Sequence, residues 1–194
     1  MMFDRATLEA ALSALGELAL AAGKRIDLAI YGGSALALAF DYRRATKDVD
    51  AVLMTEPEFV RRAIAKIADE RDWPEDWLND AVKGFLSEHQ ELALHRSYPS
   101  VASPGLRVFV PSPRYLLAMK CMAMRIGGVE QSQDIQDIRH LIASLEMISA
   151  EQVLEVVAAF YPVKRVSPKT VFGVQSLFES NDLEDAPPRQ DHDH

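Results

Sequence analysis

Residues 29–54 read AIYGGSALALAFDYRRATKDVDAVLM, and the fold turns on how this stretch is parsed. The run IDLAIY (26–31) is short, β-prone and stopped by Gly32 and Gly33, while the SALALAF that follows is apolar enough for a buried helix. The loop DYRRATK then leads to DVDAVLM, a second strand carrying Asp48 and Asp50 at its start. The order is strand, glycine turn, helix, loop, strand. Side chains two apart on a strand point to one face, so Asp48 and Asp50 can hold one metal ion between them. Two carboxylates alone suit Mg²⁺, which keeps several waters and takes its other oxygens from substrate phosphates. Gly32 and Gly33 allow the backbone close to a phosphate, and Ser34 falls where a helix presents its free N–H groups. Together these pieces describe a metal-assisted site for a nucleoside triphosphate (NTP), with Asp48 and Asp50 as metal ligands and Gly32, Gly33 and Ser34 against the phosphates. Taken singly, the same residues also serve as a turn, a helix cap and a solvated strand end.

On the N-terminal side, residues 6–22 put Leu8, Leu12, Leu15 and Leu18 on one helical face, with Gly23 to end the helix. On the C-terminal side, residues 57–71 read as a helix with Phe59, Ile64 and Ile67 inward. WPEDWLNDAVKGFL (73–86) reads as a short helix opened by Pro74, with Trp73 and Trp77 as anchors. A looser stretch rich in His, Ser and Pro precedes LRVFV (106–110), the third clear strand. From Pro113 onward the pattern is helical: 114–126, 133–146, 150–160, and a helix capped by Ser167 with Pro168 in its first turn. The expected architecture is an α/β (α+β) fold, a small mixed sheet over residues 1–112 followed by a helical half over 113–178.

Composition narrows the function. With 48% apolar and 26% charged residues over 194 positions, the chain is a globular one of about one domain's length. Its formal charge of −8 argues against coating long nucleic acid through a general basic surface. Residues 179–194, ESNDLEDAPPRQDHDH, hold six acids and one arginine, hence −5 of that total, and read as a disordered acidic tail. The single cysteine, Cys121, excludes a disulfide framework and reads as a buried, inert thiol. No leader pattern is present and no apolar run approaches the ~20 residues that span a bilayer, so the expectation is a cytoplasmic protein without a membrane partner. His89, His95 and His140 lack metal-ligand spacing. Arg43, Arg44 and Lys47 precede the aspartates, where they suit phosphate, an RNA backbone or a plain charged loop.

The arrangement Gly33-Ser34, thirteen residues, then Asp48-Val49-Asp50 resembles the signature of the nucleotidyltransferase superfamily. Within it the sequence is similar to the AbiEii/MenT-like branch of toxin-type enzymes. The further likeness lies in YLLAMKCMAMR, with Lys120, and QDIQDIRHL, with Asp134 and Asp137. The strand LRVFV carries no third carboxylate, as in that branch, where the lysine and a helix aspartate complete the site. The resemblance therefore implies that Lys120 contacts triphosphate oxygens and that Asp137 orients Lys120 or approaches the metal. Asp134 is read instead as serving a helix N-terminus. The resemblance implies Mg²⁺ as cofactor, an NTP as donor, and RNA such as a tRNA 3′ end as the leading acceptor, with a protein hydroxyl or a small molecule open beside it. It also implies a cognate antitoxin as partner. A non-catalytic binding module and a small-molecule adenylyltransferase are the alternatives.

Overall fold

The computed structural model describes residues 2–40, 42–54, 57–124 and 129–179; the acidic tail expected at 179–194 lies outside them from residue 180 onward. The chain divides into two compact units, Met1–Ser112 and Pro113–His194.

The first unit opens with β1 (Phe3–Asp4), α1 (Arg5–Ala21) and β2 (Ile26–Ile30). Asp4 caps α1 by accepting the Thr7 N–H at 2.8 Å, and Gly23, at φ +64°, ends it as the sequence implies. Behind β2 the helix α2 (Gly32–Ala35) runs on as a wider π-type stretch, Leu36–Phe40. Thus the two glycines form the first turn of the helix itself. There follow β3 (Ala45–Thr46), β4 (Val49–Leu53), α3 (Pro57–Arg71), β5 (Leu78–Asn79), β6 (Leu92–Pro99) and β7 (Pro104–Pro111). The sheet order is β5-β4-β2-β7-β6, a mixed sheet: β2 is parallel to β7 and antiparallel to β4, β4 is parallel to β5, and β6 is antiparallel to β7. One face buries Ile26, Leu28, Ile30, Val49, Ala51, Leu106 and Val108. The crossing of α1 over β7 is close enough to require glycine on both sides. A Cβ on Gly105 would overlap the Gly16 carbonyl, and one on Gly16 would lie 2.6 Å from the Tyr98 carbonyl oxygen.

Two sequence expectations are corrected here. The helix expected over 73–86 is instead a turn, the short strand β5 and a 3₁₀ turn at Ala81–Phe85. Long-range pairing overrides local propensity: the Val49 N–H donates to the Trp77 carbonyl at 2.7 Å. The buried Trp77 indole donates to the Ile64 carbonyl and packs with Trp73 and Phe3. The loose stretch before LRVFV is the edge strand β6. Its apolar alternation is interrupted by a register shift between Leu94 and Arg96.

The second unit contains α4 (Pro113–Ala123), α5 (Val129–Ser144), α6 (Ala150–Phe160) and α7 (Pro168–Glu179). Helix α4 packs against α5, α6 and α7, with Tyr115 against Phe160 at a ring separation of 4.9 Å. Ser167 caps α7, accepting the Thr170 N–H at 3.1 Å. Among the described residues no helix is long and apolar enough to cross a membrane.

Candidate functional site

The ends of β2 and β4 meet where the chain enters α2. The Tyr31 N–H donates to the Asp50 carbonyl at 2.8 Å, and Gly32 then takes φ +59°. The Asp50 carboxylate lies over Gly32, so that a Cβ there would stand 2.5 Å from Oδ2. Gly33 gives way in the same manner to Arg43, whose guanidinium occupies the space a side chain would need, with Thr46 Oγ1 beside it. The two glycines thus admit one carboxylate and one guanidinium to the backbone at the start of α2.

Ser34 is fully buried. Its hydroxyl lies 3.3 Å from the Tyr31 carbonyl and 3.4 Å from the Asp48 carbonyl, and the Thr46 hydroxyl donates to that same Asp48 oxygen at 3.1 Å. Ser34 therefore holds the backbone of Asp48 rather than presenting a surface. Asp48 itself precedes β4, in a bend, and is exposed; Asp50 is the second residue of β4 and half-buried. Asn79 lies opposite Asp50 in the β4–β5 register, and its amide Nδ2 is 3.5 Å from Asp48 Oδ2. No sequence spacing pointed to Asn79 or Thr46: one sits on a two-residue strand, the other on a two-residue clip in which Phe3 pairs with Thr46. Arg43, from the charged loop, donates through Nε to the Ala45 carbonyl, while Arg44 and Lys47 are exposed.

At the same end of the sheet, the Tyr31 hydroxyl donates to Gln90 Oε1 at 2.7 Å, and Ser112 Oγ donates to Glu91 Oε2 at 2.6 Å. Among the described residues no group of three or more His, Cys, Asp or Glu side chains is disposed to hold a metal. Asp48 and Asp50 carry hard carboxylate oxygens, the donor type that suits Mg²⁺ when water and phosphate oxygens supply its other ligands.

Lys120 belongs to the second unit. Its Nζ lies 2.8 Å from Asp134 Oδ1 and 2.7 Å from Asp137 Oδ2, with the lysine side chain 11% and Asp137 5% exposed. The lysine, in an otherwise apolar helix, is held by two carboxylates. Asp137 and Asp134 thus meet in one cluster around Lys120, so Asp134 does more than serve a helix end. The structure thus brings Gly32, Gly33, Ser34, Asp48 and Asp50 together in one unit and Lys120, Asp134 and Asp137 together in the other. Next to Lys120, Cys121 is fully buried, and burial pushes its thiol up to about 12. Burial pushes the His95 imidazole down, and His140 meets the Gln136 carbonyl on its own helix.

A family model described as a nucleotidyltransferase of unknown function, DUF6036, matches residues 7–167. Among solved structures, the chain is similar to an antigenic nucleotidyltransferase-like protein from Paracoccidioides brasiliensis, at 16% identity and a TM-score of 0.47. That alignment covers 91% of this chain and 95% of the other. The search of curated proteins finds no match.

Proposed function

We propose, from the premise that this chain belongs to the DUF6036 nucleotidyltransferases, that it moves a nucleotidyl group from an NTP to an acceptor hydroxyl with Mg²⁺. The observation that carries the reading is the seating of the Asp50 carboxylate directly over Gly32 at the mouth of α2. Only a residue without a side chain lets a carboxylate and a phosphate-approaching backbone share that point.

Asp48 and Asp50 would hold the metal, which when bound neutralises phosphate charge and orients the phosphates. Ser34 and Thr46 fix the Asp48 carbonyl, so its carboxylate is positioned by the backbone. Arg43 places positive charge beside the glycines, where phosphate oxygens would lie. The acceptor hydroxyl attacks the α-phosphorus in line: its oxygen forms the new P–O bond, pyrophosphate leaves, and the hydroxyl proton passes to Asp48 or Asp50 or to water. Rate is gained by positioning and charge neutralisation. RNA is the proposed acceptor, in a cytoplasmic toxin–antitoxin setting, on the strength of the likeness to toxin-type enzymes.

Incubation of the purified chain with each α-labelled NTP, Mg²⁺ and total RNA tests this, beside Asp48→Asn/Asp50→Asn. Label on RNA that the double variant loses is the expected result. Label on protein or on a small molecule changes the acceptor but keeps the reaction. NTP binding without transfer makes the chain a nucleotide-binding module, and no NTP binding ends the nucleotide reading.

A further inference from the structure

On the face of β4 opposite Asp50, a cavity of about 300 Å³ lies between α3 and the 3₁₀ turn Ala81–Phe85. It exists because β5 is only two residues long: the chain leaves the sheet at Asp80, so the layer that would cover the edge of β4 is missing. The floor is apolar, formed by Ala51 and Leu53 from β4, Ile64 from α3 and Leu78 from β5. The rim carries Arg61, Lys83 and Asp80, with Lys83 paired to Asp80. One wall is Asn79, the residue that also touches Asp48.

Volume and charge restrict the occupant. About 300 Å³ is the low end of the range for small-molecule sites and far too little for a helix or strand of a partner. The rim sums to +1 in a chain of −8, a local reversal of sign that selects an anion. The floor offers no hydrogen-bonding side chain, so a polar body would lose its hydration there without replacement.

We infer that this cavity binds a small amphipathic anion, its apolar ring or chain on the floor and its anionic group against Lys83 and Arg61. Asn79 then links the cavity to the aspartate pair, because any shift of its side chain on binding alters the amide next to Asp48. The inference does not depend on nucleotidyl transfer, and its test uses no NTP.

Naphthalene-2-sulfonate supplies the chemistry in one molecule; 2-naphthol has the body without the charge, and inorganic sulfate has the charge without the body. Titration of the full ¹⁵N-labelled chain with the sulfonate should give saturable shifts centred on Ala51, Leu53, Leu78, Asn79 and Lys83. Arg61→Gln/Lys83→Gln changes exposed charges only and should weaken the sulfonate by about tenfold or more while leaving 2-naphthol unaffected. The Asp48 amide should shift with the wild-type chain and stay still in Asn79→Ala. The site is refuted by absence of saturable shifts at millimolar sulfonate, by shifts centred elsewhere, or by equal sulfonate affinity in the double variant. Movement of the Asp48 amide in Asn79→Ala refutes the link.

Discussion

Asp48 and Asp137 are both carboxylates beside apolar chain, yet the fold handles their charge in opposite ways. Asp48 stands exposed, and what fixes it is its own backbone, whose carbonyl accepts the hydroxyls of Ser34 and Thr46. Asp137 is 5% exposed, and its carboxylate is engaged by Lys120, which also takes Asp134. A charge that must meet a ligand is best positioned through groups that leave it accessible. A charge that must sit inside the protein needs a counter-ion at contact distance, because a lone buried ion loses more hydration energy than packing returns. Asp48 is thus kept accessible in the first unit, whereas Asp137 is neutralised where it sits in the second.

The largest effect expected from this difference is in stability. Lys120→Met takes the Lys120 counter-charge away from the buried Asp137 and should cost about 3–5 kcal/mol in urea unfolding. Lys120→Met/Asp137→Leu, which removes both charges, should recover most of that loss. If Lys120→Met instead leaves the unfolding midpoint in place and abolishes transfer, the contrast breaks, and the lysine cluster is a ligand site like the first.

Asp48→Asn gives the complementary result. Its carboxylate is exposed, so stability should change by less than about 0.5 kcal/mol. Labelled-NTP transfer should nevertheless fall by about 10²-fold or more, the order lost when one preorganised charge-stabilising group is removed. Equal loss of stability and of transfer would make Asp48 a structural residue.

Much of this contrast could be read from the residues, and the part that could not has a physical reason. The strand, the glycines and the Asp-Val-Asp lie within one short stretch, so local periodicity and turn chemistry placed β2, α2 and β4 directly. Lys120, Asp134 and Asp137 lie on consecutive helices, but a lysine in an apolar helix is equally compatible with a carboxylate partner and with a side chain that reaches to water, so its ion pairs were not legible. Asn79 reaches Asp48 across 31 positions, and β5 exists only because β4 is there to pair with it. The edge strand β6 was hidden by its register shift between Leu94 and Arg96, which disrupts the alternation that marks a strand. Ser34 was legible as part of the motif, but its burial follows from the packing of Thr46 and the Asp48 carbonyl around it.

Glycine substitutions sharpen the comparison at a smaller scale. Gly32→Ala places an L side chain at φ +59° and pushes on Asp50, which should cost about 1–2 kcal/mol and reduce transfer with it. Gly105→Ala, at the contact with Gly16, should cost about 1–3 kcal/mol without touching transfer beyond the fraction unfolded. Equal specific activity per folded molecule in both variants would show that Gly32 is a packing residue like Gly105.

Cys121 supplies the finest probe, because it neighbours Lys120 and does nothing at neutral pH. Burial raises its thiol from 9.0 to about 12, so the folded state favours the protonated form more than the unfolded chain does. That contribution is fully present below about 9 and is lost as pH climbs toward 12; between pH 6 and 8, unfolding free energy should be indifferent to it. Iodoacetamide at pH 8 should therefore label the thiol only through openings of the second unit. Lys120→Met, by destabilising that unit, should speed labelling, whereas Asp48→Asn should leave the rate unchanged. Labelling that is fast in the wild-type chain and indifferent to both variants would mean that α4 opens independently of the Lys120 cluster, and that the buried pair does not hold its unit together.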